Sequence, residues 1–189
     1  MLAALLLACA PGVHADNLDI VSAARRQVGV TVAYDGAYQT LRYPGGDVPL
    51  ERGVCTDVIV RAFRAARALD LQKVMHEDIV AHRDAYPHQR RWGNARPDAN
   101  IDHRRVPNQM AWFGRQGWSR PASAAPDDYL AGDIVAWNLG RGILHIGVVS
   151  DRKATTGTPL VIHNIGAGAR EEDMLFRYEI IGHFRPEAS

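Results

Sequence analysis

The first two thirds of the chain repeat their apolar residues with a helical period, and the last third with a strand period. Leu18, Val21, Ala24 and Val28 share one helix face, and Gly29 ends that run. Residues 30–53 are irregular and carry four Gly and two Pro. The next segment opens on Cys55-Thr56-Asp57 and continues as VIVRAFRAARAL. Within it Ile59, Ala62, Phe63 and Ala66 make one apolar stripe, while Arg61, Arg64 and Arg67 point the other way. This spacing predicts an amphipathic helix with Cys55 and Asp57 in its first turn. Further helices are predicted from Leu71 to about His82 and from Pro107 to about Arg115, the second closed by Gly117, with a long loop over 84–105 between them.

After PASAAPDD, the segments DIVAW, ILHIGVVS, PLVIHN and YEIIGHF are short, rich in β-branched residues and separated by turn residues. Helices first and strands second define an α+β domain, with N-terminal helices packed on a C-terminal antiparallel sheet. A length of 189 residues suits one such domain with a real core.

Residues 2–10, LAALLLACA, are followed by Pro11, Gly12 and Val13-His14-Ala15. They read as the apolar core and small-residue cleavage site of an export signal spanning 1–15. No positive segment precedes the apolar run, so the true start is expected upstream. Cleavage after Ala15 suits Val13 and Ala15, whereas Leu6-Leu7-Ala8-Cys9 also suits a lipoprotein box that makes Cys9 a lipid anchor. Both routes place a single domain, 16–189, in the periplasm or cell envelope. No apolar run reaches the roughly 18 to 20 residues of a membrane-spanning helix. Both also leave Cys55 as the one thiol of the folded domain, and a lone thiol cannot staple its own chain.

Charge adds a second asymmetry. The 22 Lys and Arg against 21 Asp and Glu give a net +1, yet residues 61–120 hold twelve cations and six carboxylates. Four of the eight histidines, His76, His82, His88 and His103, lie there too. A basic surface concentrates anionic partners, although a solvated, salt-bridged face explains the same excess.

A thiol at a helix start sits where the dipole and free N–H groups favour the thiolate. The same N–H groups can hold an oxyanion. Such a cysteine needs a base and a group that orients the base. His145 stands on the strand ILHIGVVS with Gly147, whose missing side chain is expected to admit a helix. The next strand offers His163 or Asn164, on opposite faces, as the orienting group. The dense polar run Asp102-His103-Arg104-Arg105 lies in a loop, where two Arg can clamp carboxylates. An Asp–Arg network pinning that loop is the competing explanation. His76-Glu77-Asp78 reads as structural, with Asp78 and His82 paired four residues apart.

The order helix-Cys, strand-His, strand-polar resembles the NlpC-type bacterial cell-wall peptidases, circularly permuted relatives of papain. Cys55 matches their nucleophile, His145 in HIGVVSD their base, and His163 in VIHN their third residue. Tyr34 falls where many of them line the site with tyrosine. GVCTDV, HED, PDANIDHRRVPN, HIGVVSD and IHNIG closely match a bacterial family known as domain of unknown function 1287. The resemblance covers about residues 20 to 185. Val54-Cys55-Thr56-Asp57 departs from the usual Asp-Cys-Ser-Gly, and the segment from about 70 to 120 has no counterpart in the minimal fold.

The resemblance implies an exported cysteine hydrolase that cuts an amide bond in peptidoglycan, an endopeptidase or amidase with a Cys55-His145-His163 triad. Peptidoglycan or another acidic peptide is the expected partner. Tyr34, Thr56, Asp57, Asp102, His103, Arg104 and Arg105 are the candidate substrate-binding residues, and no metal or cofactor is required. The alternatives are a non-catalytic wall-binding module and a papain-like acyltransferase. The histidines His76 and His82 are six apart, which does not suit a zinc helix motif. IGAGAREED lacks the third Gly and the context of a dinucleotide loop. The basic segment matches no nucleic-acid module, so nucleic acid is not an expected partner.

Overall fold

The computed structural model describes residues 17–87 and 96–187. The leader with Cys9 and His14 lies outside the described residues, as does His88. Helix α1 (Leu18–Arg25) buries Ile20, Val21, Ala23 and Ala24. The stripe is thus rotated from the one the spacing predicts: Leu18 is exposed at the helix start, and Val28 is exposed beyond the helix end. The irregular stretch that follows contributes a short parallel pair, β1 (Ala33–Tyr34) and β2 (Arg52–Gly53).

Helix α2 (Cys55–Arg67) runs through the middle of the fold, and every residue from Cys55 to Phe63 is buried. Its arginines do not face water as the amphipathic pattern predicts. Arg61 donates to Asp47 and to the carbonyls of Val48, Pro49 and Arg52, which ties residues 47–52 to the helix. Arg64 reaches Asp70 and the Gly46 carbonyl, and Arg67 reaches Asp19 and Asn17. A guanidinium supplies several fixed donors, so one side chain can satisfy loop carbonyls that have no ladder partner.

Helices α3 (Leu71–Ala81) and α4 (Val106–Arg115) place Leu71, Met75, Ile79, Trp112 and Phe113 in the same core as α1 and α2. The basic segment is therefore an integral part of the core. The six strands are β3 (Ser119–Arg120), β4 (Ile134–Asn138), β5 (Leu144–Lys153), β6 (Pro159–Asn164), β7 (Ala169–Glu172) and β8 (Glu179–Phe184). They form one antiparallel sheet in the order β3-β8-β4-β5-β6-β7. Strands β3 and β7 are polar, and the apolar pattern does not reveal them. Ile134, Ala136, Ile146, Val148 and Ile162 face the helices. Val135, Trp137, Val149 and Val161 face the other way, under Tyr129, Met174 and Leu175. The two covered faces explain why the central strands read as nearly continuous apolar runs. No helix among the described residues is long and apolar enough to cross a membrane.

Candidate active site

Cys55 is the first residue of α2, entered from an extended Val54. The Asp57 carboxylate folds back to accept the Val54 N–H at 2.7 Å, which caps the helix start. This return is close enough that a Cβ on Gly53 would stand 2.9 Å from Asp57 Oδ2. Arg104 holds the same carboxylate bidentately, with Nε and Nη2 each at 2.9 Å. Its remaining donors go to the carbonyls of Ala37 and Asp35.

The cysteine lies on the wall of a cleft of about 270 Å³, which Tyr34, Val54, Arg104, Arg105 and Leu144 also line. Of the sequence-predicted substrate-binding residues, Tyr34, Arg104 and Arg105 therefore meet the cleft. Thr56, Asp57, Asp102 and His103 are shut away from it. Thr56 donates to the Arg104 carbonyl, and Asp102 accepts from the Asp98 N–H and sits 2.9 Å from His76 Nδ1. Arg104 is committed to Asp57, so the pinned-loop explanation holds for it. Arg105 stands 3.9 Å from buried Asp102 at the cleft wall.

The electrostatics of the thiol differ from those expected of a helix-start cysteine. Burial pushes Cys55 up to about 12, and Asp57 adds to the rise, against the N–H groups of Ile146, Thr56 and Cys55 itself. Desolvation outweighs the dipole here, because the sulfur is enclosed and the nearest charge is negative. The resting thiol is protonated at neutral pH. Alkylation of Cys55 in the folded protein at pH 7 is accordingly expected to be at least about tenfold slower than that of a free thiol. Unfolding in urea restores the ordinary rate. Timed labelling with iodoacetamide and mass spectrometry checks this, and equal rates in the two states contradict it.

Strand geometry explains why an N–H meets the sulfur. Val149 donates to the Asp133 carbonyl at 2.8 Å and Leu139 to that of Ile143 at 2.9 Å, so the odd-numbered residues of β5 bond to β4. The Ile146 N–H therefore points towards β6. The β5–β6 ladder pairs Val148 with Ile162 and Val149 with Val161, and Ile146 has no partner in it. There its N–H favours the ionised form of the Cys55 thiol.

His145 and His163 lie on the opposite face of the sheet from Ile146 and Ile162, His145 beside Trp137 with ring centroids 5.8 Å apart. His145 Nε2 and His163 Nδ1 are 2.9 Å apart. Among the described residues no hydrogen bond involves His145 Nδ1, and none joins Cys55 to His145. Both Cys55 and His145 nevertheless flank the 145–146 peptide. Asn164, on the helix-facing side, donates to the Gly53 and Ala33 carbonyls and so fastens the β1–β2 pair beside the cysteine. What Gly147 admits is the neighbouring strand and not a helix, since its Cβ would stand 2.7 Å from Val161 Cγ1 and 3.1 Å from His163 Cβ.

Burial lowers the protonation of His145 to about 3 and of His163 and His103 to about 4. An unfolded imidazole takes up its proton near pH 6.5, roughly. Below that pH the unfolded chain binds protons that the folded chain refuses. Stability present at pH 7 is thus lost as pH falls from about 6.5 towards 4, by up to about 1.4 kcal/mol per pH unit for each imidazole. The urea midpoint is expected to be clearly lower at pH 5 than at pH 7, and an unchanged midpoint contradicts neutral burial.

Glu172 is the residue that sequence reasoning missed. Its Oε2 stands 3.5 Å from His163 Nε2, across from β6 on the edge strand β7. The segment IGAGAREED carries a strand signal only through its Arg170/Glu172 alternation, which polar residues make faint.

With a buried helix-start thiol, a cleft and a paired-imidazole strand edge described, the chain can be placed. It belongs to the family described as a domain of unknown function, DUF1287, whose model matches residues 21–186. It is similar to the uncharacterized protein YijF of Escherichia coli strain K12. The two are 58% identical over 169 residues, which cover 89% of this chain and 81% of YijF.

Proposed function

We propose that the protein is an exported cysteine hydrolase of NlpC-like, circularly permuted papain fold, which cuts an amide bond in peptidoglycan. The observation that carries this reading is a thiol at the first residue of α2 on the wall of a cleft, where backbone N–H groups of Ile146, Thr56 and Cys55 favour its ionised form against burial. That thiol stands next to a strand edge bearing two hydrogen-bonded imidazoles. Element order supports the fold reading, and the apolar leader supports export.

The residues divide the chemistry as follows. The Cys55 thiol gives its proton to His145 Nδ1, and the sulfur bonds to the substrate carbonyl carbon. The oxyanion lies among the N–H groups that face the sulfur at rest. His145 returns the proton to the amine as the C–N bond breaks, leaving a thioester. A water molecule then gives a proton to His145 Nδ1 and attacks the thioester, which releases the acid and restores the thiol. His163 orients the His145 ring throughout. The raised thiol means that ionisation accompanies substrate entry instead of preceding it. At rest Cys55 packs on the helix side of the sheet and His145 on the other face, so this step requires the His145 end of β5 to turn towards α2 as substrate enters.

One specific observation favours a second reading, a wall-binding module without turnover: the resting thiol is protonated, and among the described residues no hydrogen bond joins it to His145. Incubating the purified protein with isolated peptidoglycan separates the two. Mass spectrometry shows new amine and carboxyl ends for a hydrolase, and binding without new ends for a module.

A further inference from the structure

We infer that Glu172 is a positioning residue that sets the tautomer of the two-histidine chain, and so decides which nitrogen of His145 is free to act as the base. This rests on the proposed hydrolase reading for its function, though not for its geometry. Two neutral imidazoles 2.9 Å apart must share one proton between His145 Nε2 and His163 Nδ1. There are two ways to do so. In the first, His145 Nε2–H donates, His163 carries its own proton on Nε2, and His145 Nδ1 is bare. In the second, His163 Nδ1–H donates, His163 Nε2 is bare, and His145 carries its proton on Nδ1, where it cannot accept one from Cys55.

The pair alone does not choose between them; the surroundings of His163 do. Its Nε2 is buried and has no hydrogen-bond partner among the described residues, and the carboxylate of Glu172 is 3.5 Å away. A bare nitrogen there would aim its lone pair at a carboxylate, while an N–H aims a donor at it. The first arrangement is therefore the stable one. A closing movement of about half an ångström completes the hydrogen bond to ordinary length.

Register makes Glu172 the residue that can do this. His163 pairs directly with Arg170, and Val161 with Glu172, so Arg170 and Glu172 share the His163 face of β7. Glu171 points to the helix side, where Arg25 and the Ser150 hydroxyl donate to it. Arg170 Nη1 is 3.5 Å from Glu172 Oε1 and steers the other carboxylate oxygen towards His163. Among the described residues the charged and titratable groups facing His163 are thus Glu172 and Arg170 from β7 and His145 from β5. When His145 accepts the thiol proton, its charge is one imidazole away from a carboxylate, which stabilises it because both rings are buried.

The test is nitrogen-15 NMR of the histidine rings at pH 7.5, in the native protein and in Glu172→Ala. The native spectrum is expected to show one tautomer at each ring, with His145 protonated on Nε2 and His163 on Nε2. In Glu172→Ala the second arrangement is expected to enter, giving a mixture at both rings. Glu172 is partly exposed, and an unchanged urea midpoint shows that the variant folds. A native His145 protonated on Nδ1 overturns the inference, and so do identical tautomers in the two proteins. Peptidoglycan turnover adds an independent reading: Glu172→Ala should lower kcat about tenfold with little change in KM. If the native protein releases no fragments while the tautomers respond, the hydrolase reading falls and the tautomer assignment stands. If it cleaves and the tautomers do not respond, the reverse holds.

Discussion

Cys55→Ala is expected to lower the release of peptidoglycan fragments by about a thousandfold or more, because the substitution removes the atom that forms the thioester. The fold should tolerate the change. Cys55 is small and buried, and deleting its sulfur leaves a shallow cavity at the helix start, a cost of about 1 kcal/mol. The decisive comparison is between the native protein and the alanine variant on the same peptidoglycan, with fragments counted by mass spectrometry and folding followed by circular dichroism. Turnover retained by a folded alanine variant would end the nucleophile assignment and favour a wall-binding module.

The second large effect concerns stability. Arg104→Ala removes both guanidinium contacts to Asp57, at 2.9 Å each, and leaves a carboxylate enclosed beside the thiol. Breaking one partner of a buried ion pair typically costs about 3 to 5 kcal/mol, since the remaining charge is desolvated and uncompensated. In a chain of this size that corresponds to a fall in Tm of about 10 °C. The loss of the ties to Ala37 and Asp35 also releases the cleft wall that carries Tyr34. The double variant Asp57→Asn with Arg104→Gln is expected to recover part of the loss, because no charge is then stranded. Thermal melts of the native, single and double variants check both statements. A Tm within about 2 °C of native for Arg104→Ala would show that the pair contributes nothing to stability.

The arginine illustrates how far the sequence can be read. The basic excess of residues 61–120 is plain from composition, but its meaning is not. Arg61 and Arg104 are spent on Asp47 and Asp57, so part of the excess is internal wiring. Helical periodicity identifies α2 and α4 nearly to the residue because each presents its apolar stripe to one core. It misplaces the stripe of α1, whose last predicted position, Val28, lies past the end of the helix. The alternation of β4, β5, β6 and β8 is legible because their side chains fill two packed layers. Strands β3 and β7 escape notice because hydrogen bonds to a neighbouring strand define them, and apolar burial does not.

By itself the sequence determined the α+β class, the position of Cys55 at the start of a helix, and the strands that carry His145, His163 and Asn164. Each of these follows from local patterns: apolar period, cap residues and turn residues. The tertiary structure alone decided which of these groups meet. It sealed Thr56, Asp57, Asp102 and His103 behind the cleft, and raised the thiol that a bare helix start would lower. It also set Glu172 against His163 from an edge strand with no apolar signal. Contacts between strands, and the desolvation that shifts a proton, depend on what packs across a sheet, and no window along the chain contains that information.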